Sequence, residues 1–233
     1  VTFNRKHNFA NREQNRDGDN HNNSWNHGTE GPTTNLLIND LRKRQQKNLI
    51  LSLLISKGVP MILMGDEIGR SQGGNNNSWC QNNLLSVMNW DHDQQDLELL
   101  EYFKYVIKIR KKLTNIINPS LLPYNPNHEN IPKLHWHGTK LDTPDWSSWS
   151  HTVAFSINKG KTNPLVWIGL NAYSKSIEFP LPKCQYNWLK VIDTSMPQIF
   201  EPLNISEKSV SIKSRSSLLI ISEEVFGAKN NLF

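Results

Sequence analysis

The sequence predicts an α/β part, residues 1–118, followed by an all-β part, residues 119–233. The first part has the order helix, short apolar strand, long polar loop, helix, which is typical of a (β/α) barrel or a doubly wound sheet. In the second part, short apolar segments alternate with turn residues, as in an antiparallel β-sandwich. A linker-like stretch that contains Pro119, Pro123, Pro126 and Pro132 separates the two parts. No internal repeat is visible in the sequence.

The elements of the α/β part follow from apolar spacing and from turn residues. Residues 1–35 have no usable period and predict a long irregular segment, a kind that is often functional. Apolar residues recur from Asn39 to Ser56 and predict a helix that Gly58 and Pro60 end. The continuous apolar run Val59–Met64 predicts a strand buried on both faces. After a polar loop over 65–83, a second amphipathic helix is predicted from Gln95 to Leu113.

The all-β part contains seven short apolar segments that predict strands, because turn residues separate them at regular intervals. They are Lys133–Trp136, Thr152–Ile157, Leu165–Leu170, Ser176–Phe179, Trp188–Ile192, Ser209–Ile212 and Ser217–Ser222.

Composition excludes several classes of protein. With 233 residues, 36% of them hydrophobic, the chain can bury a proper core and is too apolar to be disordered. Its longest uncharged apolar run, Val59–Met64, is far shorter than the roughly 20 residues that span a bilayer, and we expect no membrane partner and no targeting leader. The two cysteines, Cys80 and Cys184, make no disulfide framework and fit a reducing compartment.

The chain carries a net charge of +5, which by itself does not indicate nucleic acid. Its basic residues are dispersed, and the clusters Arg42–Arg44 and Arg110–Lys112 fall on predicted helices. We interpret both clusters as solvated helix faces.

Chemistry is expected where the predicted strand ends, since ligands bind at the carboxyl ends of strands in α/β folds. Asp66, Glu67 and Arg70 occupy that end. Neighbouring carboxylates on extended backbone point to opposite faces, so Asp66 and Glu67 cannot face each other as an acid/base pair. We expect one to line a cleft and the other to pair with Arg70; the alternative is that both form salt bridges at its rim.

The 29 asparagines and eight tryptophans favour a polyhydroxylated ligand over a phosphate. An amide offers two donors and an acceptor, which match sugar hydroxyls without the desolvation cost of a charge. Asn75, Asn76 and Asn77 follow the predicted strand, and the indole faces of Trp25, Trp79 and Trp90 can stack on sugar rings. For any one of these tryptophans, ordinary core packing remains the alternative.

Three metal or phosphate motifs fail, and no cofactor is predicted. The segment that begins at Asp17 resembles a calcium loop, but its twelfth position is Gly28 rather than Glu. The histidines of residues 1–35 lack the spacing of a zinc site. No Gly-Lys-Ser/Thr follows Gly73-Gly74, so there is no phosphate-binding loop.

Ordered motifs along the whole chain resemble isoamylases and glycogen-debranching enzymes of the GlgX type. The resemblance is strongest at Gly65-Asp66-Glu67, Gly69–Gln72 and Gly74–Gln81, and continues in the all-β part at His135–Gly138, Pro144–Ser147 and Asn171–Tyr173. Further matching segments are Phe3–Asn8, Ala10-Asn11, Asn15–Gly18, Ser24–Asn26, Glu30–Pro32, Leu41–Gln45 and Gly58–Met61.

This resemblance implies the carboxy-terminal part of an α-amylase-clan (β/α)₈ barrel (helix 7, strand 8 and helix 8) followed by a β-sandwich domain. It implies retaining hydrolysis of α-1,6 branch linkages in glycogen, amylopectin or limit dextrin, by a nucleophilic Asp and an acid/base Glu. The three catalytic carboxylates are expected upstream of Val1, so this chain alone is expected to be inactive and to need the amino-terminal portion of the enzyme. A bacterial cytoplasm or a plastid stroma is the implied location.

The resemblance assigns to this chain substrate-cleft and supporting positions instead of catalytic ones. These positions are Asn15, Asp17, Trp25, Asp66, Glu67, Arg70, Asn75, Asn76 and Asn77. An alternative is a non-catalytic glucan-binding or regulatory piece that acts with a catalytic partner. Nucleic-acid binding through the positive charge is a third hypothesis, which the dispersed charge disfavours.

Overall fold

The described residues contain two long α-helices and a short one. The computed structural model describes residues 1–91, 93–118, 132–160, 163–197 and 201–227. Helices α1 and α2, at Leu36–Ile55 and Gln94–Ile117, confirm the two predicted helices, and α3 spans Glu223–Gly227. Helix α1 begins earlier than predicted because the Oδ1 atom of Asn35 accepts hydrogen bonds from the backbone N–H groups of Leu37 and Ile38 and so caps the helix.

The strands found in the described ranges form an antiparallel sheet of six and a second sheet of two. In chain order they are β1 Lys133–His137, β2 Thr152–Lys159, β3 Asn163–Asn171, β4 Ile177–Pro180, β5 Trp188–Asp193, β6 Leu203–Ile205, β7 Ser209–Ile212 and β8 Ser216–Ser222. The large sheet has the order β1-β2-β3-β8-β5-β6, and β4 pairs with β7 in the small sheet. All seven predicted strands are confirmed, and the short β6 is an addition.

A hydrophobic core holds the two sheets together, as in a β-sandwich. Trp167 on β3 and Phe179 on β4 are fully buried, with ring centroids 6.0 Å apart and an interplanar angle of 68°. Ile212 on β7 belongs to the same cluster. Gly169 makes room for it, because a Cβ there would overlap Ile212 and lie 2.5 Å from Trp167 Cη2. The packing of large side chains against a glycine is what close-packed interiors require.

Arg110 fastens the carboxyl end of α1. Its guanidinium donates to the carbonyl oxygens of Leu54, Ser56 (2.9 Å) and Gly58. The backbone N–H of Gly58 in turn donates to Asn118 Oδ1 at 2.8 Å. Carbonyls that a helix end leaves unpaired are thereby satisfied by a cation, which also suits the negative end of the helix dipole.

The predicted strand Val59–Met64 is wrong, because these residues form no strand in the structure. Val59 is 96% exposed and Met61 89% exposed, and Leu63 and Met64 are also exposed. A parallel strand forms only when neighbouring strands bond to its backbone and cover its faces, and no described strand lies beside this run. The described residues therefore do not show the barrel part of the predicted fold, with its strand 8, which is taken up again as a proposal.

The chain divides into two compact units. The first contains Val1–Lys47 and Met61–Lys104, and the second contains Asn48–Pro60 and Tyr105–Phe233. The domain boundary near residue 118 stays a prediction, and the proline-rich stretch from Pro119 falls almost wholly outside the described residues. Within the described parts of the chain, no helix is long and apolar enough to cross a membrane.

Candidate functional site

Two loops of the first unit are joined by asparagine side chains. We call this the asparagine cluster; it consists of Asn8, Asn11, Asn15, Asp17, Asn75, Asn76 and Asn77. Amides suit such a junction because each side chain donates and accepts at once. The structure thus brings together five of the predicted site residues, Asn15, Asp17 and the Asn75–Asn77 run, across about sixty residues of sequence.

Asn8 is at the centre of the cluster and is fully buried. Its Nδ2 donates to Asn76 Oδ1 at 2.8 Å and to the carbonyl oxygen of Asp17 at 3.0 Å, and its Oδ1 accepts from the backbone N–H of Asn76 at 3.0 Å. Its own backbone N–H donates to Asn15 Oδ1 at 2.7 Å. Because every polar group of Asn8 is used, the residue locks one loop to the other.

Asn11 makes the second link between the loops. Its Nδ2 donates to the carbonyl oxygen of Asn77 at 2.9 Å, and its Oδ1 accepts from Asn75 Nδ2 at 2.9 Å and from Gln81 Nε2 at 2.8 Å. Asn75 is buried and bonds the backbone N–H of Asn77 through its Oδ1 at 2.9 Å. These amides therefore hold the backbone in shape.

Asp17 supplies the negative charge of the cluster. Its Oδ2 accepts from Asn11 Nδ2 at 2.7 Å and from Asn77 Nδ2 at 2.9 Å. These two amide donors, Asn11 first, lower the pKa of the Asp17 carboxyl below its ordinary value. Among the described residues, its buried Oδ1 has no hydrogen-bond partner. The carboxylate therefore stays ionised at neutral pH and serves as a fixed acceptor.

Glu30 organises the opposite end of the same amino-terminal segment. Its carboxylate accepts from the backbone N–H groups of Asn4 (2.8 Å) and Arg5 (3.1 Å), from His7 Nε2 (2.8 Å) and from Asn26 Nδ2 (2.8 Å). These donors, the Asn4 N–H first, lower the pKa of Glu30 to about 2. Four charge-assisted bonds on one side chain fix the chain path around it.

We expect the amide proton of Asn4 to report the ionisation of Glu30 with a midpoint near pH 2 instead of the ordinary pH 4.5. Since the pKa in the folded chain lies below that in the unfolded chain, the stabilisation by Glu30 is complete above about pH 4.5 and is lost as the pH falls through 2. NMR titration of the Asn4 and Arg5 amide shifts measures this. Glu30→Gln should abolish the titration, whereas exposed Glu13→Gln should leave it unchanged; a midpoint above pH 4 would contradict the assignment.

Asp66, Glu67 and Arg70 form a separate turn, and they do not form the expected ion pair. Asp66 Oδ2 accepts from the backbone N–H of Leu63 at 3.3 Å, and Glu67 Oε2 accepts from that of Gly65 at 2.9 Å. In the described structure, Arg70 Nη2 donates instead to the carbonyl oxygens of residues 85 and 86, at 3.2 and 2.6 Å. Carbonyls replace a carboxylate here because the short turn directs both acidic side chains back to its own backbone.

The three tryptophans of the first unit are all exposed, so none of them packs into a core of the described residues. Trp25 lies against His27, with ring centroids 4.1 Å apart. Trp79 is 82% exposed and stands on a short 3₁₀ turn, Ser78–Cys80, that directly follows the asparagine cluster. Trp90 is also largely exposed. The indole faces of Trp25 and Trp79 are thus presented next to residues that Glu30 and the cluster hold in place.

This arrangement can bind a neutral polar ligand but shows no acid/base pair. Asp66, Glu67 and Glu30 each accept hydrogen bonds from nearby backbone N–H groups. Among the described residues, no group of three or more His, Cys, Asp or Glu is arranged to hold a metal ion. Sequence reasoning did not single out Asn8, Asn11 or Glu30 as organising residues, although each lies in a motif that carried the resemblance.

The second unit contains a region that matches a known family model. Residues 135–224 match the family described as "Isoamylase 1-3, C-terminal". This range includes nearly all of the eight strands.

Curated relatives match both units. The chloroplastic isoamylase 1 of Oryza sativa subsp. japonica is 38% identical over 202 residues, which are 86% of this chain and 24% of that protein. The glycogen debranching enzyme of Dickeya chrysanthemi is 36% identical over 187 residues, which are 80% of this chain and 27% of that protein. The resemblance found in the sequence is therefore confirmed, and the chain spans about a quarter of the length of these relatives.

A solved structure supports the fold. The pullulanase type I of Bacillus subtilis, crystallised with maltose, superposes with a TM-score of 0.57 at 20% identity, over 78% of this chain and 24% of that one.

Proposed function

We propose that this chain forms part of a glycoside hydrolase that removes branches from glycogen or starch, because residues 135–224 match the model of the isoamylase 1–3 C-terminal family. The observation that carries this proposal is the similarity to rice isoamylase 1, which extends over 86% of the chain and so includes residues of both units.

The bond cleaved is the α-1,6-glucosidic branch linkage, and the mechanism is retaining, with an Asp nucleophile and a Glu acid/base. These carboxylates come from the portion of the enzyme that this chain does not contain. Asp66, Glu67 and Glu30 are poor substitutes, because Asp66 and Glu67 bond to their own turn and Glu30 accepts from four donors. We therefore expect the chain by itself to be inactive.

The loops of the first unit shape the branch-binding cleft. Trp25 and Trp79 stack on glucose rings, since their indole faces are exposed. Asn15, Asp17, Asn75, Asn76 and Asn77 act mainly by holding the loops in register, which spares the binding step the entropy of ordering them. Asp66, Glu67 and Arg70 define the neighbouring turn. The enzyme works where storage glucan is found, in a plastid stroma or a bacterial cytoplasm.

The exposed run Val59–Met64 completes a sheet in the whole enzyme. Four of its six residues are exposed and apolar, and no described strand pairs with its backbone. We assign it as strand 8 of a (β/α)₈ barrel, between α1 as helix 7 and α2 as helix 8. Its partners are strands of the remaining barrel, which would cover both faces.

A chimeric enzyme tests this function. The segment of rice isoamylase 1 that matches this chain is replaced by the chain, and new reducing ends are measured on amylopectin. We expect the chimera to debranch amylopectin, whereas the isolated chain and a rice enzyme that lacks the segment release no chains. A folded chimera without hydrolysis, or hydrolysis by the chain alone, would contradict the proposal.

A further inference from the structure

Three tryptophans form an exposed aromatic surface at one edge of the six-stranded sheet. We call it the tryptophan platform; it consists of Trp136 on the edge strand β1 and of Trp146 and Trp149 on the loop after it. These side chains are 40%, 65% and 77% exposed. Trp136 stands edge-to-face on Phe155 of β2 at 5.3 Å, and Trp146 stands edge-to-face on Trp136 at 5.2 Å. Phe155 thus supports Trp136, and Trp136 in turn supports Trp146.

A buried hydrogen-bond chain anchors the loop that carries two of these rings. The backbone N–H of Asp142 donates to His137 Nδ1 at 3.0 Å, so the proton of the neutral imidazole is on Nε2. That Nε2–H donates to Ser156 Oγ at 3.0 Å, and the Ser156 hydroxyl donates to Asn158 Oδ1 at 2.7 Å. Burial lowers the pKa of His137, which keeps the imidazole neutral.

The remainder of the loop is equally constrained. Gly138 lies so close to Thr143 that a Cβ would come within 2.5 Å of its carbonyl oxygen. The Asp145 carboxylate accepts from the backbone N–H of Ser147 at 3.0 Å, just before the turn that carries Trp149. At the end of the loop, the carbonyl oxygen of His151 accepts from the N–H of Ala172 at 2.8 Å. The platform is therefore rigid before any ligand arrives, which lowers the entropic cost of binding.

Size and charge indicate what the platform binds. The three indoles together expose about 450 Å², well below the roughly 800 Å² that each partner contributes to a stable protein interface. Loop residues 138–151 contain Lys140 but also Asp142 and Asp145, which disfavours an anionic ligand such as a nucleic acid. Flat indole faces in a polar, slightly acidic loop suit a neutral ring with apolar faces and hydroxyl edges, which is a sugar.

We propose that the tryptophan platform binds a linear α-glucan segment by stacking its glucose rings on Trp146 and Trp149. Trp146 and Trp149 are three positions apart in the sequence, so their Cα atoms lie within about 11 Å of each other. This distance suits a short oligosaccharide. The identification of the sugar as an α-glucan rests on the proposed function. The inference that a sugar stacks on these indoles is independent of it.

Glycogen is the probe, and the test is native affinity electrophoresis of the full 233-residue chain in gels that contain it. We expect glycogen to retard the chain. Trp149→Ala should weaken the apparent affinity about fivefold, and the double change Trp146→Ala with Trp149→Ala at least tenfold. Tyr186→Ala is the control, because Tyr186 is an exposed aromatic side chain of the same unit that lies outside the platform, and this variant should keep more than half of the affinity.

Several outcomes would overturn the proposal: no retardation of the unaltered chain, equal retardation of the double variant, or a loss confined to Tyr186→Ala. So would light scattering that shows a dimer broken by Trp149→Ala, since the platform would then contact a second copy. The amylopectin chimera separates the two proposals. A chimera that debranches while glycogen fails to retard the chain refutes the platform alone, and an inactive chimera with platform-dependent retardation refutes the debranching function alone.

Discussion

Replacing Asn8 by alanine should lower the free energy of unfolding of the chain by about 2–4 kcal/mol. Asn8 is fully buried, and its side chain makes three bonds of 2.8–3.0 Å to Asn76 and Asp17. Alanine leaves the backbone N–H and the Oδ1 of Asn76 without the partners that Asn8 supplied, whereas the Asp17 carbonyl oxygen keeps its bond from Lys6 Nζ at 2.7 Å. Each buried polar group that is left unsatisfied costs about 1–3 kcal/mol. Urea denaturation followed by tryptophan fluorescence measures the change.

Two further variants make this prediction specific. Asn23→Ala removes an exposed asparagine of the same segment and should change the free energy of unfolding by less than about 0.5 kcal/mol. Asn8→Asp keeps the shape but replaces the amide donor by a second carboxylate beside Asp17, so it should be at least as destabilising as alanine. Equal stability of Asn8→Ala and Asn23→Ala would show that the cluster does not join the loops.

The β-sandwich could be predicted strand by strand because its signal is local. Each strand is a short apolar run between turn residues, and each finds its pairing partner within the same unit. Leu203–Ile205 was missed because three residues, two of them exposed, carry too little pattern. The order β1-β2-β3-β8-β5-β6 could not be predicted, since it depends on pairings such as Val166 with Ile221 that are distant in sequence.

The run Val59–Met64 shows the limit of the same reasoning. Its continuous apolar character indicates a strand buried on both faces, but burial is a property of the neighbours and not of the run. Without strands on either side, its apolar side chains remain in water. The local apolar pattern therefore predicts that this segment needs strands on both sides. The structure shows that the described residues do not provide them.

For the candidate site, the sequence indicated the right residues but not their immediate role. Asparagine suits sugar hydroxyls and it also suits other asparagines, because the same donors and acceptors serve both. In the structure Asn75 and Asn77 bond Asn11 and Asp17, so much of their hydrogen-bonding capacity is used inside the protein. Only the folded loops reveal this, since the partners are about sixty residues apart.

Trp167→Ala should be the most damaging single change in the second unit and should lower the free energy of unfolding by about 3–5 kcal/mol. Trp167 is fully buried between the sheets against Phe179 and beside Gly169. Alanine would leave a cavity there, and the neighbouring Gly169 has no side chain that could fill it. Trp149→Ala is the matched control. It deletes the same side chain from an exposed loop of the same unit and should cost less than about 0.5 kcal/mol.

Trp167→Phe separates the packing of the indole from its polar atom. In the described structure the buried Nε1 of Trp167 has no hydrogen-bond partner, so the indole N–H is desolvated without compensation. Phenylalanine keeps most of the contact with Phe179 and removes that unpaired donor. In the same denaturation experiment, Trp167→Phe should therefore lower the free energy of unfolding by less than half as much as Trp167→Ala. If phenylalanine were as destabilising as alanine, the N–H would have to be bonded in solution, and the sandwich would depend on that bond as well as on packing.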